Sequence, residues 1–136
     1  MKKLLVVFAL LLCATVQAEW ALLNGTDGSQ TYIEASTLKR QGNLVSVHTL
    51  ANYVEPIPKR RKSFWDVQYT SEVTDAIYDC DAKSFKNLKV TWYTKPNGEG
   101  WEKESDVNKN KWYQLVPATV GWSLMEYVCA KSKTVP

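Results

Sequence analysis

The segment Ala76-Ile77-Tyr78-Asp79-Cys80-Asp81 decides the fold, together with Cys129 near the C-terminus. Its side chains alternate between the two faces of a short extended run that ends at a cysteine. If the N-terminal segment carrying Cys13 is removed on export, Cys129 is the only cysteine left to pair with Cys80. We therefore predict a central strand that is tied to the C-terminal segment.

The first 18 residues have the features of an export signal. Lys2 and Lys3 give a positive start, the run from Leu4 to Ala14 is apolar, and Val16-Gln17-Ala18 suits a signal peptidase. A membrane-spanning helix needs about 20 apolar residues, so this run is too short to span a bilayer. We predict cleavage after Ala18, a domain over residues 19–136, and a periplasmic, surface or secreted destination.

Cys13 raises a second interpretation, in which it is the acylated residue of a lipoprotein signal. Such signals carry a small residue just before the cysteine, whereas this chain has Leu12. We therefore favour ordinary cleavage over lipidation, and Cys13 is then lost with the signal.

Two cysteines in an exported domain indicate a disulfide bond. A Cys80–Cys129 bond would close a loop of about 50 residues, which the chain-entropy model values at about 4 kcal/mol. Neither cysteine belongs to a Cys-x-x-Cys pair, so a structural role is favoured over a catalytic one. The alternative is two free, buried thiols.

The charge balance gives no general argument for nucleic-acid or membrane binding. The formal net charge is +3, but two of the lysines lie in the predicted signal, so the remaining domain carries +1. A net charge this close to zero does not attract polyanions over the whole surface. We predict no nucleic-acid partner and no transmembrane segment.

Alternating apolar residues predict five or six antiparallel strands. In the strand Leu44–Val54, we assign Val45, Val47, Thr49, Ala51 and Tyr53 to the core face. The preceding segment Ala35–Arg40 is predicted to be a helical turn or a bend. The other strands are expected at 20–23, 31–34, 67–80 and 84–94, with 101–107 as a short strand or loop.

The C-terminal segment has helical periodicity, because Val120, Leu124, Tyr127 and Val128 recur at spacings of four, three and one. Thr119 is a suitable N-cap, and we predict about three helical turns. The predicted fold is α+β: a single antiparallel sheet, a C-terminal helix packed on one face, and one disulfide.

The segment Glu55–Trp65 is the most distinctive loop, and Pro56 and Pro58 are expected to stop the strand before it. Its basic and aromatic residues suit sulfated glycans, phosphate, acidic lipids or an acidic protein face. A solvated hairpin tip that prevents edge-to-edge association is the simpler interpretation, and we favour it. The candidate partner-binding residues are Lys59, Arg60, Arg61, Lys62, Phe64 and Trp65.

The sequence contains no pattern typical of an active site or a metal site. His48 is the one histidine, so a histidine-based triad or metal site is hard to build. Asp75 and Asp79 have the spacing of carboxylates on one strand face, but solvated or turn-forming roles explain them better. We predict a protein that is not an enzyme and needs no cofactor.

Several short motifs occur in the order of a known family. They are the opening Trp20 strand, the segment Tyr32–Leu38 before a Gly-Asn turn, the strand end Leu50–Tyr53, the strand end Tyr78–Cys80, and Trp112–Pro117 ahead of Cys129. In this order, and with the two cysteines, the chain resembles the surface-adhesin protein E family of Gram-negative bacteria.

The resemblance implies an antiparallel sheet with a helix packed on it, no catalytic activity, and compatibility with a homodimer. The family includes a surface lipoprotein that binds host extracellular-matrix and serum proteins, so a protein or polyanionic glycan partner is expected. Two other roles stay open. One is a periplasmic structural or envelope-stress protein, and the other is a small-ligand carrier with an apolar pocket near Trp122 and Met125.

Overall fold

A computed structural model of the chain describes residues 19–58 and 67–133. The strands pair antiparallel in chain order from β1 to β6, and the two-residue β7 pairs with β5. The predicted sheet, C-terminal helix and disulfide are confirmed. The elements are β1 (Trp20–Gly25), β2 (Ser29–Gln41), β3 (Leu44–Pro58), β4 (Gln68–Asp79), β5 (Ser84–Lys95), β6 (Glu99–Ser105), β7 (Tyr113–Gln114) and α1 (Val120–Lys131).

The main core lies between α1 and one face of the sheet, which we call the helix face. Leu124, Met125 and Val128 are the buried side chains of α1. They belong to one cluster with buried residues of β2, β3 and β4, among them Ile33 and Val47. Burial of this apolar surface is the main force that holds the helix on the sheet.

Three sets of contacts fix the helix at its two ends. At the start, the Thr119 hydroxyl accepts a hydrogen bond from the Trp122 amide at 3.2 Å, which confirms the predicted N-cap. At the end, Cys129 is bonded to Cys80 with their Cα atoms 5.9 Å apart. Arg40 Nη1 also donates to the Cys129 carbonyl at 3.2 Å and to the Ser132 hydroxyl at 3.0 Å.

The prediction of a turn or bend at Ala35–Arg40 is wrong, because β2 runs on as far as Gln41. The pairing shifts between Glu34 and Lys39, so this part of the strand forms a large bulge. Within the bulge, the Thr37 hydroxyl takes the place of a backbone group in the hydrogen bonding between β2 and β3. It donates to the Glu34 carbonyl at 2.6 Å and accepts from the His48 amide at 2.9 Å.

The prolines do not end β3 as predicted, since the strand reaches Pro58. The last pair between β2 and β3 is Ser29 with Tyr53, and the Val54 amide still donates to the Gly28 carbonyl at 3.1 Å, so β3 continues beyond its neighbour from Glu55. A proline is tolerated at a sheet edge because its missing N–H would have no ladder partner. Pro58 pairs with Gln68 on the other side.

The turn between β5 and β6 folds back over the opposite face of the sheet. Asn52 and Asn97 form two hydrogen bonds of 2.8 Å, one from side chain to side chain and one from the Asn97 amide. The buried Ser71 hydroxyl donates to the Lys95 carbonyl and accepts from the Gly98 amide. Gly98 has a φ of +71°, and a Cβ there would lie 3.2 Å from a Val73 methyl carbon, so glycine fits this turn.

The disulfide should supply much of the stability of the domain. Replacing both Cys80 and Cys129 by serine opens a loop whose closure is worth about 4 kcal/mol. We expect the melting temperature of the domain to fall by more than about 10 °C. Thermal unfolding followed by circular dichroism compares the variant with the oxidised natural domain. The reduced natural domain is the control, because it lacks the bond but keeps both cysteine side chains. An unchanged melting temperature would contradict a stabilising cross-link.

Arg40 should stabilise the C-terminal end of α1, because it neutralises carbonyl groups that the helix leaves unpaired. We expect Arg40→Gln to lower the free energy of unfolding by about 1–2 kcal/mol. Urea unfolding of the variant gives this value. Lys39→Gln, a neighbouring exposed cation, is the control and should stay close to the natural protein; equal losses in both variants would rule out a specific role for Arg40.

Candidate functional site

A cleft of about 280 Å³ opens on the helix face, beside the first turn of α1. The helix covers only part of this face, so side chains of β2, β3, β4 and β5 form the cleft floor next to it. Its apolar wall comes from Phe85, Leu115, Val120 and Leu124. Its polar lining includes Ser29, Thr31, Thr49, Tyr53, Glu72, Thr74, Tyr78 and Asn87.

Glu72 is the only charged side chain among the described residues that line the cleft. Its carboxylate accepts a hydrogen bond from the Thr74 hydroxyl at 2.9 Å and one from the Tyr53 hydroxyl at 3.4 Å. Burial, followed by the nearby Glu72 charge, raises the pKa of Tyr53 above its ordinary value. The phenol therefore stays protonated and holds the carboxylate in place.

Three hydroxyl-bearing residues form a second polar group in the cleft. Tyr78 is 4% exposed, Thr31 6% and Thr49 8%, and all three line the cleft. Burial raises the pKa of Tyr78 well above its ordinary range, so its phenol stays protonated. Because a hydroxyl can both donate and accept a hydrogen bond, these groups are suited to bind a polar molecule in the cleft.

The opposite face of the sheet carries a row of charged side chains across neighbouring strands. His48 Nδ1 lies 3.4 Å from a Glu34 oxygen, and His48 Nε2 lies 3.2 Å from an Asp75 oxygen. Lys89 and Glu104 continue the row with a contact of 3.5 Å. The His48 side chain is 46% exposed, so a role in ion pairs at the sheet surface fits this geometry better than a reactive one.

Asp79 has the turn-forming role that its position suggested. Its Oδ1 accepts hydrogen bonds from the amides of Asp81 and Ala82 at 3.0 and 2.9 Å. It is therefore occupied with the turn between β4 and β5 and is not free to pair with Asp75 for acid–base chemistry. In the part of the chain that the structure describes, no cluster of His, Cys, Asp and Glu is arranged to hold a metal ion.

The edge formed by β5 and β7 presents two lysines over aromatic rings, and we call these four residues the cation–aromatic strip. Lys86 Nζ lies 5.0 Å from the centre of the Trp112 ring, and Lys111 Nζ lies 4.9 Å from that of Tyr113. Trp112 is 39% exposed and Tyr113 38%. The rings orient the ammonium groups while both remain at the surface.

The predicted binding residues Lys59, Arg60, Arg61, Lys62, Phe64 and Trp65 lie outside the described residues, so their role stays a prediction. The carrier alternative expected a pocket near Trp122 and Met125. The cleft is lined by their sequence neighbours Gly121 and Leu124, whereas Met125 itself is buried in the main core. The polar lining was not predicted. Its signal was present in β3, where Thr49 interrupts the apolar residues of the predicted core face.

The chain belongs to the surface-adhesin protein E family, whose model matches residues 20–130. Among solved structures it is similar to Haemophilus influenzae protein E, with 15% identity, coverage of 89% of this chain and 92% of that one, and a TM-score of 0.63. A crystal structure of protein E from non-typeable Haemophilus influenzae has 15% identity, coverage of 86% and 79%, and a TM-score of 0.60. At a sequence identity this low, the similarity to these structures establishes a shared fold and nothing more.

No curated protein sequence matches the chain. Within its described part, the chain has no helix with the length and apolar character needed to cross a membrane. The family match and the solved structures agree on the fold, and the family is named for a surface adhesin.

The buried tyrosines should make the protein sensitive to alkali. Because the folded-state pKa of Tyr78 is raised, its contribution to stability is complete below pH of about 10 and is lost as the pH rises further. We expect the free energy of unfolding to fall above about pH 10, by up to about 1.4 kcal/mol per pH unit for each such group. Urea unfolding at several pH values measures the slope.

Tyr78→Phe should reduce that slope, because the ionisable group is gone. Tyr113→Phe, which removes the hydroxyl of an exposed ring, is the matched control and should leave the slope as it is. A natural protein whose stability does not change between about pH 10 and 11 would contradict the raised pKa of Tyr78.

Proposed function

We propose that this member of the surface-adhesin protein E family is an exported binding protein without catalytic activity, which contacts a protein or polyanionic glycan partner. The family match over residues 20–130 supports a binding role. The cation–aromatic strip is the observation that carries the type of partner, since it places two ammonium groups beside two exposed rings.

The strip suits an anionic partner for two reasons. Each lysine is oriented by a ring, so less side-chain freedom is lost when an anion binds. The rings also offer flat surfaces to apolar parts of the same partner, which lysines alone would not. Sulfate or carboxylate groups on a glycan, or acidic side chains of a protein, fit both features.

The basic run Lys59–Lys62, with Phe64 and Trp65, is proposed as a second contact with the same chemistry. The run combines four positive charges with two aromatic residues. The cation–aromatic strip likewise combines two positive charges with two aromatic rings. Removing the charges of either set should therefore weaken binding to an anionic partner.

For localisation, we propose that residues 1–18 are removed as an export signal and that residues 19–136 form the mature domain. The protein then resides in the periplasm or at the cell surface of a Gram-negative bacterium. Fractionation with protease treatment of intact cells distinguishes these sites. Degradation from outside supports an adhesin-like role, whereas release by osmotic shock alone supports a periplasmic structural or envelope-stress role.

Binding to an immobilised sulfated polysaccharide tests the proposed function. We expect heparin to bind the mature domain and the affinity to fall steeply as salt is raised, because the contacts are between exposed charges. Lys86→Gln with Lys111→Gln, and separately the replacement of Lys59, Arg60, Arg61 and Lys62 by glutamine, should each weaken binding about tenfold.

The matched control is Lys39→Gln with Lys133→Gln, which removes two exposed cations that belong neither to the cation–aromatic strip nor to the basic run. It should weaken binding less than about twofold. Equal effects in the control and the test variants would mean that only the net charge matters. No binding to heparin or to an acidic protein at low salt would contradict the proposed partner class.

A further inference from the structure

We propose that the cleft on the helix face binds one uncharged sugar ring. This inference goes beyond the proposed function and uses residues that are not part of the cation–aromatic strip. It rests on the size of the cleft, on its hydroxyl groups, and on the mixture of polar and apolar side chains that line it.

Three hydroxyls of the cleft favour a ligand rich in hydroxyl groups. Thr31, Thr49 and Tyr78 line the cleft, and each hydroxyl can both donate and accept a hydrogen bond. A polyhydroxy molecule offers donors and acceptors at the density that pairing with all three requires.

Glu72 and Asn87 add the acceptor and the amide that a sugar ring commonly needs. A carboxylate is an acceptor-only group with two oxygens, so it can receive hydrogen bonds from sugar hydroxyls. Thr74 and Tyr53 already orient the Glu72 carboxylate by donating to it. The site is therefore organised before a ligand arrives, which lowers the entropic cost of binding.

The other wall of the cleft is apolar and suits the C–H face of a pyranose ring. Phe85, Leu115, Val120 and Leu124 supply this apolar lining. Ligand pockets usually combine such an apolar lining with a few placed polar groups. The cleft volume of about 280 Å³ is near the small end of such pockets, so one ring fits better than a longer oligosaccharide.

A single sugar ring could come from two sources, a free monosaccharide or the terminal unit of a glycan. Both present the same hydroxyl array to the cleft. They differ at the anomeric oxygen, which carries further residues in a glycan and must then point to the open side of the cleft. A methyl glycoside mimics the glycan terminus, and the reducing sugar mimics the free form.

The test is an NMR titration of the ¹⁵N-labelled mature domain with glucose, galactose, mannose and N-acetylglucosamine and with their methyl glycosides. We expect at least one sugar to shift the amide signals of cleft residues such as Thr49, Gly121 and Leu124, with saturation at millimolar concentrations. Shifts with the methyl glycoside as well assign the site to a glycan terminus. Shifts with the reducing sugar alone assign it to a free sugar.

Tyr78→Phe and Thr49→Val remove one hydroxyl each with little change of shape, and each should weaken sugar binding at least fivefold. Tyr32→Phe, which removes a hydroxyl from the opposite face of the sheet, is the control and should bind as the natural domain does. Melting curves show whether each variant is folded. Because Thr49→Val removes a hydroxyl from a different strand, it keeps the test valid even if Tyr78→Phe is unstable.

Two results would overturn the proposal. One is the absence of cleft shifts with every sugar of the panel. The other is a cleft that responds to pentylammonium chloride but not to sugars, which would make it a site for organic cations centred on Glu72. Neither result depends on heparin binding, and heparin binding that fails while sugars bind would remove the proposed function alone.

Discussion

The covalent bond between Cys80 and Cys129 is the constraint on which the arrangement of the molecule depends. It joins the end of β4 to the last turn of α1, two positions 49 residues apart in sequence. Arg40 acts at the same place, because it binds the carbonyl of Cys129 and the hydroxyl of Ser132. A helix of 12 residues is marginal on its own, so its position on the sheet depends on these contacts and on the core beneath it.

This anchoring divides the helix face into two regions with different roles. Where Met125 and Val128 pack, the sheet side chains are apolar and fully buried, and this region provides stability. Beside the first helical turn, the floor becomes polar with Thr31, Thr49 and Glu72, and the space above it is open. The same element that closes the core thus forms one wall of the cleft. A shift of the helix would alter both regions together.

Local signals predicted the fold well where the structure depends on neighbouring residues. The start of the helix after Thr119 and the pairing of Cys80 with Cys129 were predicted correctly. Helix capping and cysteine counting can be read from the sequence without knowing how the strands align with one another. The bulge at Thr37 was missed, since a side-chain hydroxyl takes over backbone pairing there. Pro58 was misjudged because its tolerance depends on β3 extending beyond β2, which only the register shows. The polar lining of the cleft was not predicted for the same reason, because Thr31, Thr49 and Glu72 come from three strands.

Hydrogen exchange of the backbone amides tests most directly whether the disulfide holds the helix in place. It should be measured by mass spectrometry or NMR on the oxidised domain and on the reduced domain under the same native conditions. Our account predicts that α1 loses at least about tenfold more protection on reduction than β3 and β4, because the helix depends on its anchor. Equal protection of α1 in both states would contradict it, and would mean that apolar packing alone positions the helix.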